Sequence, residues 1–135
     1  MARWRDSEFK NLVKMEDKLT FNEKYRQRTK HLAVAIVLFY AKHCKKEDET
    51  RIIGKQLLRS GTSVAANFRA VTRGRSTAES FSKLCIVIEE ADETLFWLEL
   101  IEETELIDIK HFENIKNETE ELLKVFSITR KKWKQ

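Results

Sequence analysis

No proline interrupts this chain of 135 residues, and it holds only three glycines, Gly54, Gly61 and Gly74. Tight hairpin turns draw on those two residue types, so an antiparallel sheet has almost nothing to turn with, whereas helices lose nothing by their absence. An all-α fold follows. At this length one domain with one core is expected, burying roughly two-thirds of the surface that the unfolded chain exposes.

The spacing of apolar residues predicts four long helices. The first runs over about 21–44, preceded by an N-terminal arm, 1–20, whose Trp4, Phe9, Leu12, Val13 and Met15 are consistent with a short additional helix. A second follows the polar break "KKEDET" over about 47–73, with acids in its first turn as the helix dipole favours. Gly74 suits the end of that helix, and Ser76 or Thr77 caps a third that reaches about residue 105. The fourth starts after Asp108 and spans about 109–133. Connections this short place successive helices antiparallel, giving an up-and-down four-helix bundle over 21–135. No repeat or internal linker divides it.

The stretch "LLRSGTSVAANFRAVTRGRS" is unusual for the middle of a helix. At about 100° per residue, Arg51, Lys55, Arg59, Thr62, Ala66, Arg69 and Arg73 form a basic stripe. Ile53, Leu57, Gly61, Val64, Phe68 and Val71 form the face expected to be buried. A third strip, Gln56, Ser60, Ser63, Asn67, Ala70 and Gly74, is small or amide-bearing. Small residues at each turn let a neighbouring helix come close, and the hydroxyls with Asn67 are expected to hydrogen-bond across the contact. Ordinary tight packing accounts for this strip.

Charge is divided between neighbouring helices. Residues 51–78 carry six bases (Arg51, Lys55, Arg59, Arg69, Arg73, Arg75) and no acid, while 84–109 carry nine acids, Glu93 among them, and no base. Their attraction favours pairing the second helix with the third. Asp92 and Glu99 share an arc with Phe81, Leu84, Cys85 and Ile88, where a carboxylate is costly unless a base or a second subunit answers it. The third helix is apolar on several sides, with Phe96, Trp97, Leu100 and Ile101 in excess of one core's need. A homo-oligomer contact through those four residues is therefore expected.

Several function classes are disfavoured. The longest apolar run, "LAVAIVLFYA", is about half of what a bilayer crossing requires, and no leader pattern is evident, so a cytoplasmic protein without a membrane partner is expected. Cys44 and Cys85 make neither a metal-ligand pair nor a disulfide framework, and Cys85 falls on an apolar helical face. Glu89 and Glu93 stand one turn apart, but no Glu-x-x-His follows, so no metal is expected. "RQRTKH", from Arg26 to His31, matches the Arg-x-x-x-x-His spacing of helical ribonucleases, a spacing that chance produces readily in so basic a chain. His43 and His111 stand alone. No cofactor and no catalytic set is expected.

The segment "LLRSGTSVAANFRAVTRGRSTAESFSKLCIVIEEADETLFWLELI" resembles a bacterial four-helix bundle family first described as proteins encoded in intervening sequences of large-subunit ribosomal RNA genes. That family also includes the accessory variability proteins of diversity-generating retroelements. The likeness covers about 22–130 and centres on Arg-Ser-x-Thr-Ser, Asn67, an Arg-rich turn with Ser76, and Glu-Glu-Ala-x-Glu-Thr with Trp-Leu between Glu89 and Leu98. Members commonly carry a glutamate between the asparagine and the turn, where this chain has Ala70. The resemblance implies an antiparallel bundle, frequently a homopentameric ring with a basic outer surface. In the retroelement branch it implies RNA and a reverse transcriptase as partners.

The expected function is that of a non-catalytic nucleic-acid-binding assembly protein, RNA being the favoured ligand. An acid-free basic stripe, the C-terminal Arg130, Lys131 and Lys132, and a sequence pI near 9.1 support it. The net charge of +4 is modest, and a protein-interaction adaptor without direct nucleic-acid binding is the alternative.

Overall fold

A computed structural model describes residues 6–133, with side chains from Thr20 onward. Four helices run in alternating directions: α1 Asp6–His43, α2 Asp48–Thr72, α3 Thr77–Thr104 and α4 Glu113–Lys131, the last preceded by a single 3-10 turn, Ile109–His111. No strand occurs among the described residues. The helices form the expected antiparallel up-and-down bundle. In place of a separate short helix before residue 21, α1 is continuous from Asp6. Trp4 lies outside the described residues, as do the side chains of Phe9, Leu12, Val13 and Met15.

Each helix gives one face to the core. From α1 come Tyr25, Leu32, Ile36 and Phe39, and from α2 Leu57, Val64, Phe68 and Val71. Leu84, Val87, Ile88, Ala91, Leu98 and Ile101 come from α3, and Ile115, Leu122 and Phe126 from α4. Spacings of three, four or seven residues recur along every helix, and the buried Thr29, Ser60, Thr94 and Thr119 fill the gaps of seven. Aromatic rings fill the end of this core where α2 and α4 finish: Phe68 stacks on Phe126 at 5.1 Å, and Tyr25 meets Phe126 edge-on at 5.6 Å. Toward the other end Phe39 packs on Phe112 at 5.5 Å.

Glycines and hydroxyls bring α2 close to its neighbours. A methyl group at Gly61 would overlap the buried Ile36 side chain of α1, and one at Gly54 would sit 2.8 Å from Cys44 Cβ. On the α3 side the fully buried Thr94 Oγ1 donates to Ser60 Oγ at 2.9 Å, and Ser60 Oγ donates to Leu57 O at 3.2 Å. Of the small-residue strip, Ser60 packs helix against helix as expected and Gly74 meets the start of α3, whereas Gln56 is exposed. A second detail differs. Asn67 bonds within its own helix, its Nδ2 donating to Ser63 O and Ser63 Oγ at 2.9 Å each, because a side-chain amide one turn on reaches the local carbonyl first.

Local signals set the helix ends. Ser76 Oγ accepts from Glu79 N at 3.1 Å and caps α3, while Asp108 accepts from Lys110 N at 3.0 Å and caps the 3-10 turn. Gly74 is required for space: its backbone is not left-handed, but a Cβ there would strike Ser80, whose Oγ donates to Val71 O at 2.9 Å and ties α3 to the end of α2. The left-handed cap belongs to Glu105, at φ 55°, which closes α3.

Candidate nucleic-acid interface

The basic stripe of α2 is divided by its partners. Arg51 is held by Asp48 at 2.6 Å, one turn earlier in its own helix. Arg59 crosses to α3, where it bonds Glu93 and lies 3.4 Å from Glu90. Its guanidinium is held above its ordinary pKa, chiefly by the Glu93 hydrogen bond. Glu90 moves the other way from what a paired acid does: burial raises its pKa, because the longer contact with Arg59 does not offset desolvation. The expected cationic ridge thus gives way here to ion pairs that fasten α2 to α3, and Glu93 serves as one of the fasteners. Lys55 is exposed and makes no salt bridge among the described residues.

Toward the end of α2 the cations are differently placed. Arg69, Arg73 and Arg75 are exposed, as are Arg130, Lys131 and Lys132 at the end of α4. None of the six makes a salt bridge among the described residues. The topology brings both groups to one end of the bundle, where Trp133 stands with Gly74, Ser76 and Thr77 around a shared cavity. Charges far apart in the chain become one basic end.

Two concavities shape this surface. A groove between α1 and α2, of about 400 Å³, is floored by Ala65 and Ala66 and walled by Arg26, Lys30 and Arg69 with Glu23 and Gln27. Glu23 accepts from Arg26 at 2.5 Å and from Gln27 at 3.0 Å, and these bonds hold its carboxyl below the usual carboxylate range. Arg26 and Lys30 are additions that the sequence reading missed. The signal was present: two bases one turn apart on α1, facing two consecutive alanines. The second concavity is the end cavity, of about 460 Å³, bordered by all four helices, with Phe21, Phe68 and Leu84 among its walls and no charged residue lining it.

Other expectations for α3 need correction. Ile101 is wholly buried in the core and is unavailable to another subunit. Trp97 packs against the core and Leu100 is partly buried, whereas Phe96 is 53% exposed, edge-on to Trp97 at 4.9 Å. Asp92 and Glu99 are exposed, because the buried arc of α3 is centred on Leu84, Val87, Ala91, Thr94 and Leu98 and turns both carboxylates to water. Cys44, rather than Cys85, is the fully buried thiol, and burial pushes its pKa up to about 11.

No group of His, Cys, Asp and Glu able to hold a metal occurs among the described residues. His31 is exposed, and Arg26 of the "RQRTKH" match is engaged with Glu23. His43 and His111 do not stand alone: their rings stack at 4.4 Å where the end of α1 meets the 3-10 turn. No helix among the described residues is long and apolar enough to cross a membrane.

The chain matches the model of the 23S rRNA-intervening sequence protein family over residues 22–127. It is 36% identical to a Bacteroides thetaiotaomicron protein of unknown function from the S23 ribosomal protein family. The likeness to that crystal structure covers 82% of this chain and 97% of the other, with a TM-score of 0.74. No curated protein matches the chain. It belongs to the 23S rRNA-intervening sequence protein family.

Proposed function

We propose that the protein binds the phosphate backbone of a nucleic acid, RNA in the first instance, through the basic end of its bundle. The observation that carries this reading is the convergence of Arg69, Arg73 and Arg75 with Arg130, Lys131 and Lys132, exposed and without salt bridges among the described residues. The α1–α2 groove extends the surface, its alanine floor admitting a backbone between Arg26, Lys30 and Arg69. Such contacts position a nucleic acid without reading its sequence, and they release counterions, so affinity falls steeply with salt. The name of the family, which ties its genes to ribosomal RNA, favours RNA over DNA. No chemistry is assigned to the site.

The test is fluorescence anisotropy with a structured RNA and a DNA duplex between about 50 and 200 mM salt. Log affinity should fall linearly with log salt, with a slope near 0.9 per phosphate contacted on duplex. Negligible binding at both ends of that range overturns the reading.

A protein partner is the second reading, favoured by Phe96 and by Val34, Val37 and Leu38 on α1, all 44% exposed or more. It takes two forms, a homo-oligomer such as a pentamer, or an adaptor for an enzyme such as a reverse transcriptase. Light scattering on the purified chain reads the first, and a stoichiometric partner recovered from a native lysate the second. A monomer that recovers nothing removes both.

A further inference from the structure

We propose that the end cavity receives one unstacked base of a single-stranded nucleic acid whose phosphates lie on the surrounding cations. This inference rests on the basic-end reading above and adds strand type to it. The cavity, about 460 Å³, falls within the range of pockets that take small ligands, about 300–1,000 Å³.

Its interior and its surroundings differ in a way that selects the ligand. No lining residue is charged, so a phosphate gains nothing inside, whereas Arg73 and Arg75 flank Gly74 of the lining and Lys132 precedes Trp133. A group neutral within and anionic without is what a nucleotide offers when its base enters and its backbone stays at the rim. Phe21 and Trp133, both partly exposed, supply aromatic walls, and every base has a π-face to set against them.

Polar groups suit a base edge as well. Thr72 donates to Arg69 O at 2.7 Å and Thr129 to Val125 O at 2.8 Å, so both hydroxyl protons are committed and their oxygens are left to accept. An exocyclic amino group answers the hydroxyl oxygens. A paired base in a duplex cannot reach them unless it is flipped out.

Anisotropy with three probes of equal length tests this: a single strand, the same strand with abasic sites throughout, and the corresponding duplex. All three carry phosphates, but only the first offers a base freely. The intact single strand should bind about tenfold tighter than the abasic one. Trp133→Ala, or Thr129→Phe to fill the cavity, should erase that difference and leave abasic binding unchanged. Circular dichroism confirms the fold of each variant, and should one not fold the other decides. Equal binding of intact and abasic strands by the native protein overturns the base pocket alone and leaves the backbone reading standing, as does an equal loss of both probes in a folded variant. Absence of binding to all three overturns the basic-end reading, and the pocket with it.

Discussion

Ser60 of α2 and Thr94 of α3 share a hydrogen bond of 2.9 Å at a point where neither residue reaches solvent. The bond joins the two most extensively packed helices of the bundle. A hydroxyl at 60 is small enough for that approach and polar enough to answer Thr94. Ser60→Ala should lower stability by about 1 kcal/mol, the net worth of one buried hydrogen bond. Ser60→Leu should cost about 1–3 kcal/mol through overpacking. Urea denaturation gives both values, and a neutral Ser60→Leu would contradict the packing.

Arg59 and the arginines of the turn should separate in their effects. Arg59→Ala removes the link to Glu90 and Glu93 and should lower stability by less than about 1 kcal/mol, as expected for a half-exposed pair, with RNA affinity unchanged. The double variant Arg73→Ala/Arg75→Ala should leave thermal stability unaltered while weakening RNA binding and reducing its salt slope by about two contacts. Anisotropy and thermal melts on both proteins make the comparison, and a loss of RNA affinity in Arg59→Ala alone would reverse the assignment.

Glu105 closes α3 at φ 55°, a left-handed conformation that disfavours a side chain, and it adds an acid to a helix end that already carries Glu102 and Glu103. Glu105→Gly should therefore raise stability by about 0.5–1 kcal/mol, the gain being reduced by glycine's larger unfolded-state entropy. A shift of the urea midpoint to lower concentration would count against a strained cap.

Histidine gives the stability a pH dependence. Burial, then the stacked His111 and the nearby Lys42 and Lys46, hold His43 below its ordinary pKa of 6.5. The unfolded chain consequently takes up this proton first, so the contribution is present above pH 6.5 and is lost as pH falls through the lowered value. Melting temperatures of the native protein and His43→Gln, compared between about pH 7.5 and 5.5, should diverge, the native protein losing more on acidification. Parallel curves would dismiss the effect.

Much of the bundle is legible in the residues because its signals are local. Ser76 caps α3, and Leu57, Gly61, Val64, Phe68 and Val71 bury the face of α2 that a helical wheel selects. The acid-rich third helix does pair with the second. What the chain does not display is phase on a helix apolar all round: α3 offers several candidate arcs, and packing against α2 and α4 chooses the one that buries Ile101 and frees Asp92 and Glu99. Nor does a wheel show which cations are answered. Arg59 and Arg69 share one stripe, but only Arg59 lies opposite Glu93, and that difference depends on the register between helices. The groove with Arg26 and Lys30 likewise joins α1 to α2 and belongs to no single segment.

The contact between Gly74 and Ser80 leaves the link from α2 to α3 no slack. A methyl group there would collide with Ser80, whereas the side chains immediately before and after it are exposed to water. Substitutions at 73 and 75 can thus exchange the chemistry displayed at that corner, basic for acidic or neutral, while the mount that carries it stays the same.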